Sequence, residues 1–131
     1  RQGVKRESID AFIKNESHGA VFVYRFKAEY HDYIPDALNR AHRFVGQPYD
    51  FTYQLGDSAQ YCSGLIYRLF EPYDLFELKP MTFIDPETGA YHPYWVDYFE
   101  KLGIQIPEGY LGCNPNGMAN SAALKYVGQI E

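Results

Sequence analysis

Residues 58–70, SAQYCSGLIYRLF, constrain the chain more tightly than any other stretch. Tyr61, Leu65 and Leu69, joined by Ile66 and Phe70, recur at the spacing of one helical face, and Pro72 forbids much continuation. The spacing predicts a helix whose apolar stripe faces inward, with Asp57 or Ser58 as its cap. Cys62 stands in the first turn. Free cysteine is among the most buried residue types, so an inert core position is one reading of Cys62. A nucleophilic thiol is the other. Unpaired N–H groups and the dipole at a helix start favour a thiolate, and the same N–H groups can hold an oxyanion on a carbonyl under attack. Ser63 and Gly64 are small enough for a substrate backbone to come close. The second cysteine, Cys113 in GYLGCNPNG, lacks a helix start immediately ahead of it and reads as structural or incidental.

A cysteine nucleophile generally needs a base, most often histidine. His31 and His42 sit before and within a charged helical segment and read as solvent-facing. His92 precedes Pro93 and reads as a helix-start residue. His18, in SHGAVFVYR, lies at the mouth of a strand and is the most tempting base, although a solvated histidine in the loop NESHGA needs no explanation. Asp10, Asp50, Asp57 and Glu71 show no spacing that argues for glycoside hydrolysis. No phosphate loop, dinucleotide fingerprint or zinc signature is present, and two cysteines that could form one disulfide match no metal-binding pattern.

The rest of the chain frames that helix. Ser8 is a plausible N-cap for a short helix through Lys14, with Ile9, Phe12 and Ile13 on one face. AVFVYRF, 20–26, reads as a buried strand. Pro35 opens a helix that Leu38, Ala41, Phe44 and Val45 line and Gly46 ends. QPYDFTYQ, 47–54, is extended and aromatic. Residues 72–92 hold three prolines and a DPETG turn, and read mainly as a surface loop. PYWVDYFEKLG is a helix from Pro93 stopped by Gly103; IQIPEGYLGCNPNG is irregular, and MANSAALKYVG is a weaker helical segment. The fold class is α+β. At 131 residues the chain is most simply one domain, 1–131. The chain has 13 tyrosines, and its tyrosine-rich segments at 49–53 and 91–98 either line a cleft for an extended ligand or pack the core and its rim. A net charge of −5 with no basic stripe argues against a nucleic-acid partner, and no stretch approaches the roughly 20 apolar residues that span a bilayer. The chain opens at Arg1-Gln2-Gly3 without methionine, a start expected from processing or trimming.

YCSGLIYRLF resembles the nucleophile motif of the NlpC-type cell-wall hydrolases, an Asp-Cys-Ser-Gly-like run opening an apolar helix. The order of the surrounding pieces is similar to the circularly permuted branch, the papain-like amidases of the YiiX/YaeF group. The matching pieces are Gly3-Val4, VFVYR at 21–25, RFVGQPYDF at 43–51, QYCSGLIYRLF at 60–70, DYFEKLGIQIP and NPNGMANSAALKYV. Gly64 stands where the permuted group often has glutamate. The resemblance implies a papain-like fold with the cysteine at the N-terminus of a helix packed on an antiparallel sheet. It also implies a cysteine-dependent amidase or peptidase that uses Cys62, with Tyr61 able to support the oxyanion, and no metal or organic cofactor. Peptide-like substrates such as cell-wall peptides follow from it, and a cell-envelope or secreted location is favoured. In the permuted order the catalytic histidine and its polar partner lie on strands before Gly3-Val4, so they are expected upstream of Arg1, with the domain incomplete at its N-terminus. Two alternatives stay open: a non-catalytic binding module on the same fold, and a thiol acyltransferase or lipid hydrolase with an acylated substrate.

Overall fold

The computed structural model describes residues 2–15 and 19–130, so His18 lies outside the described residues. Ser8 accepts from the Ala11 N–H at 3.1 Å and starts α1 (Ile9–Ile13), as its hydroxyl and position predict. Strand β1 (Val21–Phe26) leads through a 3₁₀ turn (Ala28–Tyr33) into α2 (Ile34–Phe44), with Pro35 in the first turn and Gly46 at φ 94° just beyond the end. The cysteine helix α3 (Cys62–Phe70) follows, then a 3₁₀ turn at Glu71–Tyr73 and the short strand β2 (Lys79–Pro80). Helix α4 (Pro93–Leu102) is capped by the His92 ring, whose Nδ1 accepts from the Tyr94 N–H at 3.1 Å, and closed by Gly103 at φ 72°. Strand β3 (Leu111–Gly112), α5 (Pro115–Ala119) and β4 (Leu124–Ile130) complete the order.

β1 pairs antiparallel with β4, Val21 opposite Ile130 and Phe26 opposite Leu124, with an irregularity after Val23. This overturns two expectations. Residues 124–128 are strand rather than helix, because KYV carries aromatic and β-branched residues that suit a ladder, and β1 is the long-range partner that supplies one. β1 is also half-exposed rather than buried, with Phe22 and Tyr24 turned outward, since in a two-stranded ribbon alternate side chains face away from the core. The 72–92 segment has more order than a loop: Ile84 bridges Tyr91 around the DPETG turn, where Asp85 O accepts from Gly89.

The core sits where α2 and α3 meet each other and the inner residues Phe26 of β1 and Leu124 of β4. Ala37, Leu69, Phe70 and Phe76 are buried together, and Phe26, Phe44, Leu65 and Leu124 pack around them. Arg40 of α2 fixes the C-terminal end of α3: its guanidinium donates to Leu69 O, 3.1 Å from Nε, and lies over the Tyr73 ring. A cation on the last carbonyls of a helix is favoured by the dipole. A second, aromatic cluster of Phe83, Trp95, Tyr98 and Phe99 packs beside it, and Tyr53 stacks on Tyr98 while Tyr98 donates to Phe51 O at 2.6 Å. The tyrosine-rich segments thus pack largely on one another. Among the described residues no helix is long and apolar enough to cross a membrane.

Candidate active site

Three stretches far apart in sequence meet at the N-terminal end of α3. Val4 donates to Gln47 O at 2.8 Å and accepts from Gly46 at 2.9 Å. Gly3 has to be glycine, because a Cβ there would stand 2.1 Å from Gln47 O. The next residues, Pro48 to Asp50, bridge Gln60 through Gln60 N–H to Pro48 O and Asp50 N–H to Gln60 O, both 3.0 Å. Buried Gln60 and Asp50 are satisfied locally: Gln60 donates to Gly56 O, and Asp50 accepts from the Thr52 hydroxyl and N–H. This scaffold delivers the chain to Tyr61 in an extended conformation, φ −102° and ψ 162°, which makes Tyr61 the N-cap residue.

Cys62 is therefore the first helical residue, and it is exposed. The first backbone bond of the helix runs from Leu65 N–H to Tyr61 O at 2.8 Å. The N–H groups of Cys62, Ser63 and Gly64 precede that bond, and the N-cap residue Tyr61 gives them no side-chain hydrogen bond. The expected caps are corrected here: Asp57 and Ser58 end too early, and Asp57 pairs with Arg68 at 3.4 Å instead. The result leaves the amides nearest the thiol uncommitted, as an anion or oxyanion requires.

Ser63 and Gly64 are small for a reason other than substrate access. Both are buried. The Tyr61 ring lies over Gly64, where a Cβ would stand 2.6 Å from a ring carbon, and the Ser63 hydroxyl donates to Cys113 O at 3.0 Å. Tyr61, 3% exposed, meets Tyr53 edge-to-face at 5.7 Å and brings its hydroxyl to 3.7 Å from Cys113 Sγ. Burial pushes the Tyr61 phenol far above its ordinary range, with the nearby Cys113 thiol adding to the shift and the Cys113 backbone opposing it. Burial likewise pushes the Cys113 thiol up, against the hydrogen bonds from Tyr61 and Ser63. Both groups are neutral, and both cysteines are free.

Cys62 opens onto a groove of about 810 Å³ walled by apolar side chains, among them Val4, Ile9, Leu38, Val45 and Ile66. Ile66, expected on the inward stripe, faces this groove. His42 borders the groove; His31 contacts Phe26 O at 2.8 Å, and His92 is the α4 cap, so neither of these two serves Cys62. The Cys113 contacts were not visible in the sequence. Their one trace is Gly64, a glycine inside a helix, which calls for a packing reason.

The chain matches the family described as permuted papain-like amidase enzyme, YaeF/YiiX, C92 family, over residues 1–128. No curated protein matches it. Its fold superposes on the crystal structure of a protein described as the metalloprotein yiiX from Escherichia coli O157:H7, DUF1105, with a TM-score of 0.79 at 19% identity, covering 99% of this chain and 73% of that one. Among the described residues here, no three His, Cys, Asp or Glu side chains gather as a metal site would need. With Gly3-Val4, the Gly46–Asp50 stretch and the Tyr61-Cys62-Ser63-Gly64 turn brought together in an α+β fold, and the family match running over nearly the whole sequence, the chain belongs to the permuted papain-like amidases of the YaeF/YiiX type, the C92 family.

Proposed function

We propose that the protein hydrolyses an amide bond through an acyl-enzyme on Cys62. The Cys62 thiolate attacks the carbonyl carbon, and the oxyanion settles on the uncommitted N–H groups at the start of α3. Tyr61 supports that oxyanion by fixing the cap, since its own hydroxyl is engaged at Cys113. As the C–N bond breaks, an imidazolium protonates the departing amine; the same imidazole then takes a proton from water, which attacks the thioester, frees the acid and restores the thiolate. That imidazole is a histidine from outside the described residues, in keeping with the permuted order. Peptide-like amides, including cell-wall peptides, are the first substrates to test.

The observation that carries this reading is an exposed cysteine at the first position of a helix whose leading amides have no described partner. Alkylation of the native protein with iodoacetamide across pH tests it. Cys62 is expected to react faster near neutral pH than a free cysteine, and Cys62→Ser to lose amide hydrolysis by about three orders of magnitude or more. Reaction at the rate of a free cysteine sinks the activated thiol, and a folded, inactive wild-type protein points to a binding module instead.

The apolar groove favours a second reading, in which the acyl group is a hydrocarbon chain rather than a peptide. Then p-nitrophenyl esters of increasing chain length should show KM falling with each added CH₂. A flat series excludes it.

A further inference from the structure

Each end of α3 is held from outside the helix. Arg40 holds the C-terminal end. At the N-terminal end, besides the Gln60 bridge to Pro48–Asp50, Cys113 grips the two neighbours of Cys62 rather than Cys62 itself. Its carbonyl accepts from Ser63 Oγ at 3.0 Å and its thiol meets the Tyr61 hydroxyl at 3.7 Å. We infer that Cys113 is a positioning residue for the Cys62 site: by fixing Tyr61 before the nucleophile and Ser63 after it, it sets the direction of the amide N–H groups that serve the thiolate and the oxyanion. The inference rests on the proposal that Cys62 is the nucleophile.

Three further features make the anchor stiff enough to act this way. Cys113 is held on both sides, by Gly112 in the β2–β3 pair, with the Met81 side chain packed against it, and by Asn114, whose Oδ1 accepts from the Gly117 N–H at 2.7 Å to start α5. The Tyr61 ring has no freedom to swing away, being packed against the Gly64 backbone and edge-on to Tyr53. Tyr53 itself sits at φ 57°, a conformation that a non-glycine residue keeps only where its surroundings enforce it. An ordinary core cysteine fills volume. This one supplies a polar contact to a buried hydroxyl, and a buried hydroxyl without a partner is costly. The two roles make opposite demands on a replacement.

Two variants of the full chain therefore separate them. Cys113→Val keeps the volume and removes the polar contact; Cys113→Ser keeps a polar atom for Tyr61 and gives up volume. The readout is the rate of iodoacetamide modification of the Cys62 peptide, followed by mass spectrometry from acid to alkaline pH. For the valine variant we expect the Cys62 rate at neutral pH to fall about five-fold, the equivalent of one ordinary hydrogen bond, and the rate profile to move to higher pH. The serine variant is expected to stay within about two-fold of wild type. Tyr61→Phe removes the same contact from the other side, should reproduce the valine result, and should add nothing when combined with it. A valine variant with the wild-type profile overturns the inference, as does a serine variant slower than the valine one. If Cys113→Val fails to fold, a wild-type profile in Tyr61→Phe overturns it equally. A wild-type Cys62 no faster than a free cysteine fails in a different place: it removes the nucleophile, and the positioning role with it.

Discussion

Gly64 shows how much a single hydrogen atom decides at this site. The Tyr61 ring occupies the space of its absent side chain, and Tyr53 and Cys113 hem the ring in, so neither partner can yield cheaply. Gly64→Ala is expected to destabilise the protein by about 1–3 kcal/mol, the range for an extra methyl in packed surroundings, and denaturant melts would measure it. The glycine was legible in the sequence; its reason was not, because the ring that needs the space belongs to the N-cap and the thiol behind it lies far along the chain. The same pair gives an alkaline signature. Folding raises the Cys113 thiol above its ordinary value near 9 and the Tyr61 phenol above its ordinary value near 10. The folded state then holds these protons longer than the unfolded one, so their stabilisation is complete below the ordinary values and declines as pH rises past them. Melts taken from about pH 8 upward should show stability falling from about pH 9, less steeply at first in Cys113→Ser, which has no thiol to ionise. A flat profile would contradict the burial of both groups.

At the scale of elements, legibility followed the range of the causes. Ser8, Pro35, Pro93 and Gly103 act within a few residues of themselves, and the helices they delimit match the sequence reading to within a residue or two. The cap of α3 escaped that reading because no side chain provides it: Tyr61 is placed by a bridge to the Pro48–Asp50 stretch rather than by Asp57 or Ser58. β4 was missed for a similar reason, its partner being nearly the whole chain away. Two predictions belong here. Gly103→Ala puts a Cβ at φ 72° and should cost about 1–2 kcal/mol in thermal or denaturant unfolding while leaving Cys62 alkylation as in wild type. Arg40→Met removes the donors from Leu69 O and should destabilise by about 1–3 kcal/mol, again without moving the Cys62 rate profile, since it loosens the end of α3 remote from the thiol. A changed profile in either variant would show that the two ends of the helix are not held independently.

Across the whole molecule the site is an assembly of separate strips. Gly3-Val4, Gly46–Asp50, Gln60–Gly64 and Gly112–Asn114 meet only in the folded state, each joined to the next by backbone or side-chain hydrogen bonds of ordinary length. The family resemblance made the first three strips readable as motifs, and physics explains why they stand together here: each carries a residue that fits only if the others are in place. Gly3→Ala tests the outermost joint. Its Cβ would strike Gln47 O, so the Val4–Gln47 and Gly46–Val4 bonds should open and amide exchange at Val4 and Gly46 should accelerate well before global unfolding, as hydrogen exchange would report. The pairing of β1 with β4 has a consequence in time as well as in space. A ribosome delivers α2 through α5 between those two strands, so the ribbon closes only after Ile130 has left the exit tunnel, and α3 emerges well ahead of the loop that steadies its first turn. During translation, then, Cys62 leaves the ribosome before the Cys113 loop and the β4 strand that complete its surroundings.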